Sequence, residues 1–261
     1  MGQMSITTFM TIETLTLSIA MATASGLVGC FAVMRRMTLA GDALSHVALP
    51  GIGMAIALGI NPVLGAVTML FFGALLVWAL EGQARVATET VVGVVFSVAL
   101  AVGSMMASGE ELIETLFGGA GALSHGEVLF GLAGSCAVVA FILTQKNKLV
   151  VMLVSSDVAM TAGINVRLLD FLYLETFSLT IALGLRYLGA LLMGALIIIP
   201  AATAKQLARS LRGMLIVATV VAVIATLGGT ALAARLHRGT GPLIVITAGA
   251  IFLLSLLYRR R

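Results

Sequence analysis

PVLGAVTMLFFGALLVWAL, residues 62–80, runs for nineteen residues without a charged side chain. At about 1.5 Å of rise per residue, a helix of that length crosses the roughly 30 Å hydrocarbon core of a bilayer, so the run reads as a membrane span. Runs of the same kind lie at 12–33, 41–59, 88–107, 127–144, 168–185, 188–208, 214–234 and 242–258. Nine spans are therefore expected. Eight to ten is the range, because the connections at 59–62 and at Arg186 are short enough to be re-entrant bends.

Composition agrees with that reading. Hydrophobic residues make up 60% of the 261, charged ones only 10%, and 29 are Gly. A soluble domain carries about a quarter charged residues, and this much apolar surface could not be hidden from water in one core. Low charge excludes disorder and two cysteines exclude a disulfide scaffold. Long apolar runs without period-two alternation exclude an outer-membrane barrel. What remains is an all-α, polytopic transmembrane helical bundle, because lipid forces each backbone N–H and C=O to find its partner within the segment. We read residues 1–261 as a single domain. There is no HExxH, no GxSxG and no Walker-type loop, so the chain is not expected to be an enzyme or to bind ATP itself. Cys30 and Cys136 lie in apolar runs and read as small buried hydrophobes.

Lys and Arg cluster between the runs, so the net charge of +4 reads as an orientation signal, with no basic patch for nucleic acid. The first run has no Lys or Arg before it and carries Glu13; it lacks the n-region of a signal peptide and is expected to stay in the protein. With the N-terminus outside, nine spans place Arg35, Arg36, Arg85, Lys146, Lys148, Arg167, Lys205, Arg209, Arg212 and Arg259 to Arg261 in the cytoplasm, leaving Arg186, Arg235 and Arg238 outside. That twelve-to-three bias predicts N-out, C-in by the positive-inside rule. The outer segment after the fourth span then carries Glu110, Glu111, Glu114, His125 and Glu127. It reads equally as a generic acidic docking surface and as a cation-collecting vestibule.

The chemistry concentrates in RRMTLAGDALSHVALPGIG, residues 35–53. Asp42 and His46 are four apart, one turn above each other on one helix face. A carboxylate and an imidazole at that spacing can bind one divalent cation, although a tetrahedral ion usually takes four ligands. Two copies of the chain meeting at this helix would supply the missing pair. The alternative is structural: Asp42 caps the helix and His46 hydrogen-bonds a neighbour. Pro50, Gly51 and Gly53 weaken the helix one turn on, which would make either a gate or a packing notch. Glu175 lies about two turns into the sixth span, where it would join an ion path or pair with Arg186 or Asn165. Asp170 reads as an interfacial charge and His237 as surface. Fourteen Met show no repeated Met-x-x-Met spacing and read as core filler.

RRMTLAGDALSHVALPG (35–51), GINPVLGA (59–66), MGALIIIPAATA (193–204) and GPLIVITAGAIFLLSLL (241–257) resemble the permease subunit of bacterial zinc/manganese/iron ABC importers, the ABC-3 family. The resemblance extends over essentially the whole chain. It implies a homodimer in the bacterial cytoplasmic membrane, docked on cytoplasmic ABC ATPase subunits and served by an extracytoplasmic metal-binding protein. It also implies that Asp42 and His46 line the metal path. MLVSSDVAMTAGINV (152–166) looks like the coupling helix of vitamin-B12-type (type II) importers, which resemble this family in fold; the match falls on Ser156, Asp157, Ala159 and Gly163. Asp157 would be its N-cap and Gly163 its C-cap. A rigid knob there would fit an ATPase cleft; an amphipathic helix lying on lipid is the alternative.

The expectation is thus a permease that binds no cofactor, moves zinc, manganese or iron by alternating access, and leaves ATP to its partner. A stand-alone, gradient-driven cation transporter or channel is the competing reading.

Overall fold

A computed structural model describes residues 12–37, 40–83, 87–106 and 124–259. Among the described residues ten helices follow in chain order: α1 (Ile12–Met34), α2 (Ala40–Ala57), α3 (Pro62–Glu81), α4 (Thr88–Met106), α5 (His125–Val154), α6 (Ser156–Thr161), α7 (Val166–Leu188), α8 (Ala190–Leu207), α9 (Leu211–Leu236) and α10 (Thr240–Arg259). Nine are long, as the apolar runs require, and the short α6 falls between the fifth and sixth. Among the described residues seven are long and apolar enough to cross a bilayer by length and composition, Met193–Leu207 of α8 forms a shorter apolar stretch, and α2 is not among the seven. In α2 the cause is visible, since Asp42 and His46 interrupt it.

Local chemistry sets the ends. Asn61 caps α3 by accepting from the Val63 N–H, and Pro62 occupies the first position, where its missing N–H costs nothing. Ser124 and Glu127 form a reciprocal capping box at α5. Asn165 and Ser210 cap α7 and α9. Gly189, at φ 83°, joins α7 to α8 in a single residue, a conformation that favours glycine. The expected fifth span ended at 144, but α5 continues to Val154, because nothing in GlnLysAsnLys (145–148) stops a helix.

α1 is the central helix: 78% of its span is buried, against 28% for α3, α4, α5 and α10. It packs on α5, α8 and α9. Exposed Ile216, Val220, Ile224, Leu253 and Leu257 occupy positions where a soluble protein would carry charge, as an apolar surrounding requires. Backbones approach closely where side chains vanish. A Cβ added at Gly51 would stand 2.1 Å from the Gly65 carbonyl oxygen, and one at Gly29 would stand 1.9 Å from that of Ile197. Cys30 is buried, but Cys136 lies exposed on α5, so the expectation of two buried thiols holds for Cys30 alone; both are free. The fifth-span helix presents Cys136 outward because its neighbour Ser135 takes the inward face.

Successive long helices run in opposite directions, so one end of the bundle gathers the start of α2, the end of α3, the start of α4, all of α6 and the start of α7. Arg35 makes an ion pair with Asp170 across that end. Glu13 and His125 meet at the opposite end, 3.1 Å apart.

Candidate functional site: a cleft between α2 and α4

Asp42 is the third residue of α2, and His46 follows one turn later. Helical spacing brings His46 Nε2 to 3.9 Å from Asp42 Oδ1. That is beyond hydrogen-bond reach. An ion bound tetrahedrally at about 2.1 Å from each atom would hold them about 3.4 Å apart, so roughly half an ångström of side-chain movement brings both onto one cation. The Asp42 side chain is 51% exposed and the His46 side chain 16%. The buried His46 Nδ1 has no hydrogen-bond partner, and the ring packs on Phe96 at 5.4 Å between centroids. Asp42 sits in the first turn of a helix that begins at Ala40. No bond to a neighbour holds the imidazole through Nδ1.

Asp42 lines a cleft of about 180 Å³ together with Met37, Ala40, Ala43, Val92, Phe96 and Glu89, and His46 stands behind the Phe96 ring rather than in the lining itself. Glu89, in the first turn of α4, was not anticipated from the sequence. Its signal was available: an acid one residue inside the apolar run that begins at Thr88. What was missing was the knowledge that α4 packs on α2. Two carboxylates in an otherwise apolar lining give the cleft a negative potential that low-dielectric walls sharpen. Among the described residues no group of three or more His, Cys, Asp or Glu is gathered tightly enough to hold an ion. The dyad therefore supplies half of a tetrahedral shell.

Pro50 does not end α2, which runs on to Ala57. Gly51 lies against Gly65, Gly53 against Met106, and a Cβ at Gly103 would stand 3.2 Å from Pro50 Cδ. In this conformation the Pro50–Gly53 stretch is a packing notch that seats α2 between α3 and α4.

At the same end of the bundle, α6 departs from the expected caps. Ser155, not Asp157, is the N-cap: its Oγ accepts from the Val158 N–H, and Asp157 occupies the first turn, where its charge suits the helix dipole. Ala162 is the C-cap, followed by Gly163 at φ 75°. Ile164 N–H donates to Ala159 O and Gly163 N–H to Met160 O, a full Schellman closure. Ala159 is buried, while Val158 and Met160 are each 57% exposed and Val154 81%. A rigid six-residue helix thus presents apolar side chains outward. Glu175 lies in α7, its Oε2 buried without a hydrogen-bond partner. Asn165, one of its expected partners, is occupied in capping α7, and the Arg186 side chain is outside the described residues. Glu110, Glu111 and Glu114 also fall outside them.

A profile of the ABC 3 transport family matches residues 7–259. The chain belongs to that family. It is 32% identical over 239 residues to the high-affinity zinc uptake system membrane protein ZnuB of Haemophilus influenzae, covering 89% of this chain and 91% of the relative. To the chelated iron transport system membrane protein YfeD of Yersinia pestis it is 33% identical over 238 residues, with 89% and 80% covered. The manganese import system permease protein ScaB of Streptococcus parasanguinis is 29% identical over 242 residues, with 91% and 86% covered. Among solved structures, PsaBC from Streptococcus pneumoniae in complex with Fab superposes with a TM-score of 0.79 at 27% identity, over 92% of this chain and 88% of that one. The all-helical bundle is the fold of this ABC 3 permease family.

Proposed function

We propose that the chain is the transmembrane permease subunit of an ABC importer for a divalent transition-metal ion, with zinc, manganese and iron as the candidate substrates. The observation that carries this reading is the cleft between α2 and α4. Two carboxylates, Asp42 and Glu89, line it in apolar walls, and the His46 imidazole one turn from Asp42 stands within half an ångström of ion-binding separation from it. Nitrogen and oxygen donors suit all three metals. Relatives named for zinc, iron and manganese transport support the substrate class.

Asp42 and His46 line the path, and Glu89 raises the local cation concentration at its mouth. The dyad contacts the ion only transiently, since slow release would block turnover. A second copy of the chain completes the pore as a homodimer, with the remaining ligands supplied from its own α2. An extracytoplasmic metal-binding protein delivers the ion, and the N-terminus lies outside with the C-terminus in the cytoplasm. The α6 segment, about residues 155–166, is the knob that receives a cytoplasmic ABC ATPase through Ser156, Asp157, Ala159 and the Gly163 turn. ATP binds that partner, whose closure drives alternating access, with the Pro50–Gly53 notch as the place where α2 flexes to open or shut the path. Glu175 is a further intramembrane acid available to that path.

Metal uptake into vesicles holding the chain, with and without its ATPase and binding protein, tests the reading. Uptake should require ATP and both partners. Gradient-driven uptake by the chain alone would replace the importer with a secondary transporter.

A further inference from the structure

Arg35 opens the turn out of α1, and its guanidinium reaches two carboxylates on two other helices. Nη2 pairs with Asp170 on α7 and stands 3.7 Å from Glu81 at the end of α3. All three side chains are largely buried, at 11%, 15% and 23% exposure, so a charge left alone there is costly. Thr88 Oγ1 donates to Glu81 Oε1, which ties in the start of α4. The guanidinium also lies over the Tyr173 ring, 5.2 Å from its centroid. Nevertheless Arg35 Nη1, Glu81 Oε2 and Asp170 Oδ1 are buried without hydrogen-bond partners. One cation is shared between two acids, nearer to Asp170 than to Glu81, and leaves a polar atom on each unsatisfied.

The position of this cluster matters as much as its chemistry. Asp170 stands in the second turn of α7, the helix that follows α6 directly through Gly163–Asn165. Arg35 is two residues before Met37, and Thr88 adjoins Glu89; Met37 and Glu89 both line the cleft. A second strap fixes α3 to α7 beside the cluster. There Trp78 Nε1 donates to Arg167 O at 3.0 Å, and the Arg167 guanidinium lies 4.8 Å from the Trp78 ring centroid.

Resting on the importer reading, we propose that Arg35 is a positioning residue that exchanges between Asp170 and Glu81, so that displacement of α6 and α7 changes the width of the Asp42–Glu89 cleft. With Arg35 on Asp170, the α1–α2 turn follows α7. When α7 moves away, parting the Trp78–Arg167 strap as it goes, Glu81 takes the guanidinium and the turn stays with α3 and α4. The exchange is a two-position element whose balance both the ATPase-facing knob and the metal path bias, which is what physical coupling between two sites needs.

Charge-removing variants of the complete permease–ATPase complex test this in proteoliposomes, with Zn²⁺ or Mn²⁺ supplied on the binding protein and ions moved per ATP hydrolysed as the readout. Glu81→Gln leaves the Arg35–Asp170 pair whole but removes the second position; Asp170→Asn removes the first. Both should keep hydrolysing ATP while ions moved per ATP fall at least tenfold. Arg35→Lys, which keeps a charge either carboxylate can hold, should recover much of the ratio lost in Arg35→Gln. If Asp170→Asn fails to accumulate in the membrane, Glu81→Gln decides. An unchanged ratio in Glu81→Gln overturns the proposal, and so does an equal fall of uptake and hydrolysis, the mark of a merely structural residue. Wild-type complex measured alongside separates the two readings: uptake independent of ATP defeats the importer, whereas coupled wild type with coupled variants defeats only the exchange.

Discussion

Gly51→Ala is the sharpest perturbation of the helix that carries the dyad. A Cβ at Gly51 would stand 2.1 Å from the Gly65 carbonyl oxygen and 2.6 Å from Met69 Cβ. An ordinary contact begins at about 3.4 Å, so α2 and α3 must separate by roughly 1.3 Å (3.4 minus 2.1) or tilt apart. The obstacle is backbone, which cannot rotate out of the way as a flexible side chain does. Overpacking of this kind costs about 1–3 kcal/mol, and a backbone clash belongs at the upper end. The gain in helix propensity from Gly to Ala returns about 1 kcal/mol. The expected net loss is about 2 kcal/mol, roughly thirtyfold in the unfolding equilibrium. Gly249→Ala makes the same chemical change where no atom lies within 4 Å, so only the propensity term remains and stability should rise slightly. Unfolding of the purified variants in detergent, followed by circular dichroism against temperature or SDS, measures both. Equal stability of Gly51→Ala and wild type, or an equal loss in Gly249→Ala, would refute the close-packing argument for α2.

Other outcomes follow from the site. Asp42→Asn and His46→Ala should each abolish metal uptake while the protein still inserts at wild-type levels; retained uptake in both removes them from the path. Glu89→Gln should raise the half-saturating metal concentration several-fold with little effect on maximal rate, and a pure loss of rate would instead place Glu89 among the ligands. Asp157→Arg should uncouple ATP hydrolysis from transport. Gly163→Val should do so too, since its left-handed backbone at φ 75° costs a β-branched residue about 1–3 kcal/mol although no atom blocks the side chain; normal coupling in both argues against docking at α6. Ser124→Ala should cost about 1 kcal/mol of thermal stability by opening the α5 capping box, and an unchanged melting temperature would show that the cap contributes nothing.

Much of this was legible in the sequence because its causes are local. A membrane span is a property of twenty consecutive residues, so the nine long helices could be read from apolar runs, with α5 underestimated where polar residues continued the helix beyond the bilayer. Asp42 and His46 share a face because four residues make about one helical turn. The α6 helix was foreseeable from SerSerAsp and Gly163, yet its caps shifted by one or two positions, since Ser155 and Asp157 compete for one role and only the backbone geometry chooses between them.

What the chain alone could not reveal depends on pairs far apart in sequence. Glu89 reaches the cleft only because α4 packs against α2, and Arg35 finds Asp170 only because α7 returns past the α1–α2 turn. Gly51 lies against Gly65 rather than lipid for the same reason. Sequence determined the membrane class, the long helices and the one-turn spacing of Asp42 and His46, each set by periodicity and desolvation within a segment. Tertiary packing decided which charges meet, because every lipid-compatible helix satisfies its own backbone and leaves the choice of neighbour to side-chain shape and buried charge.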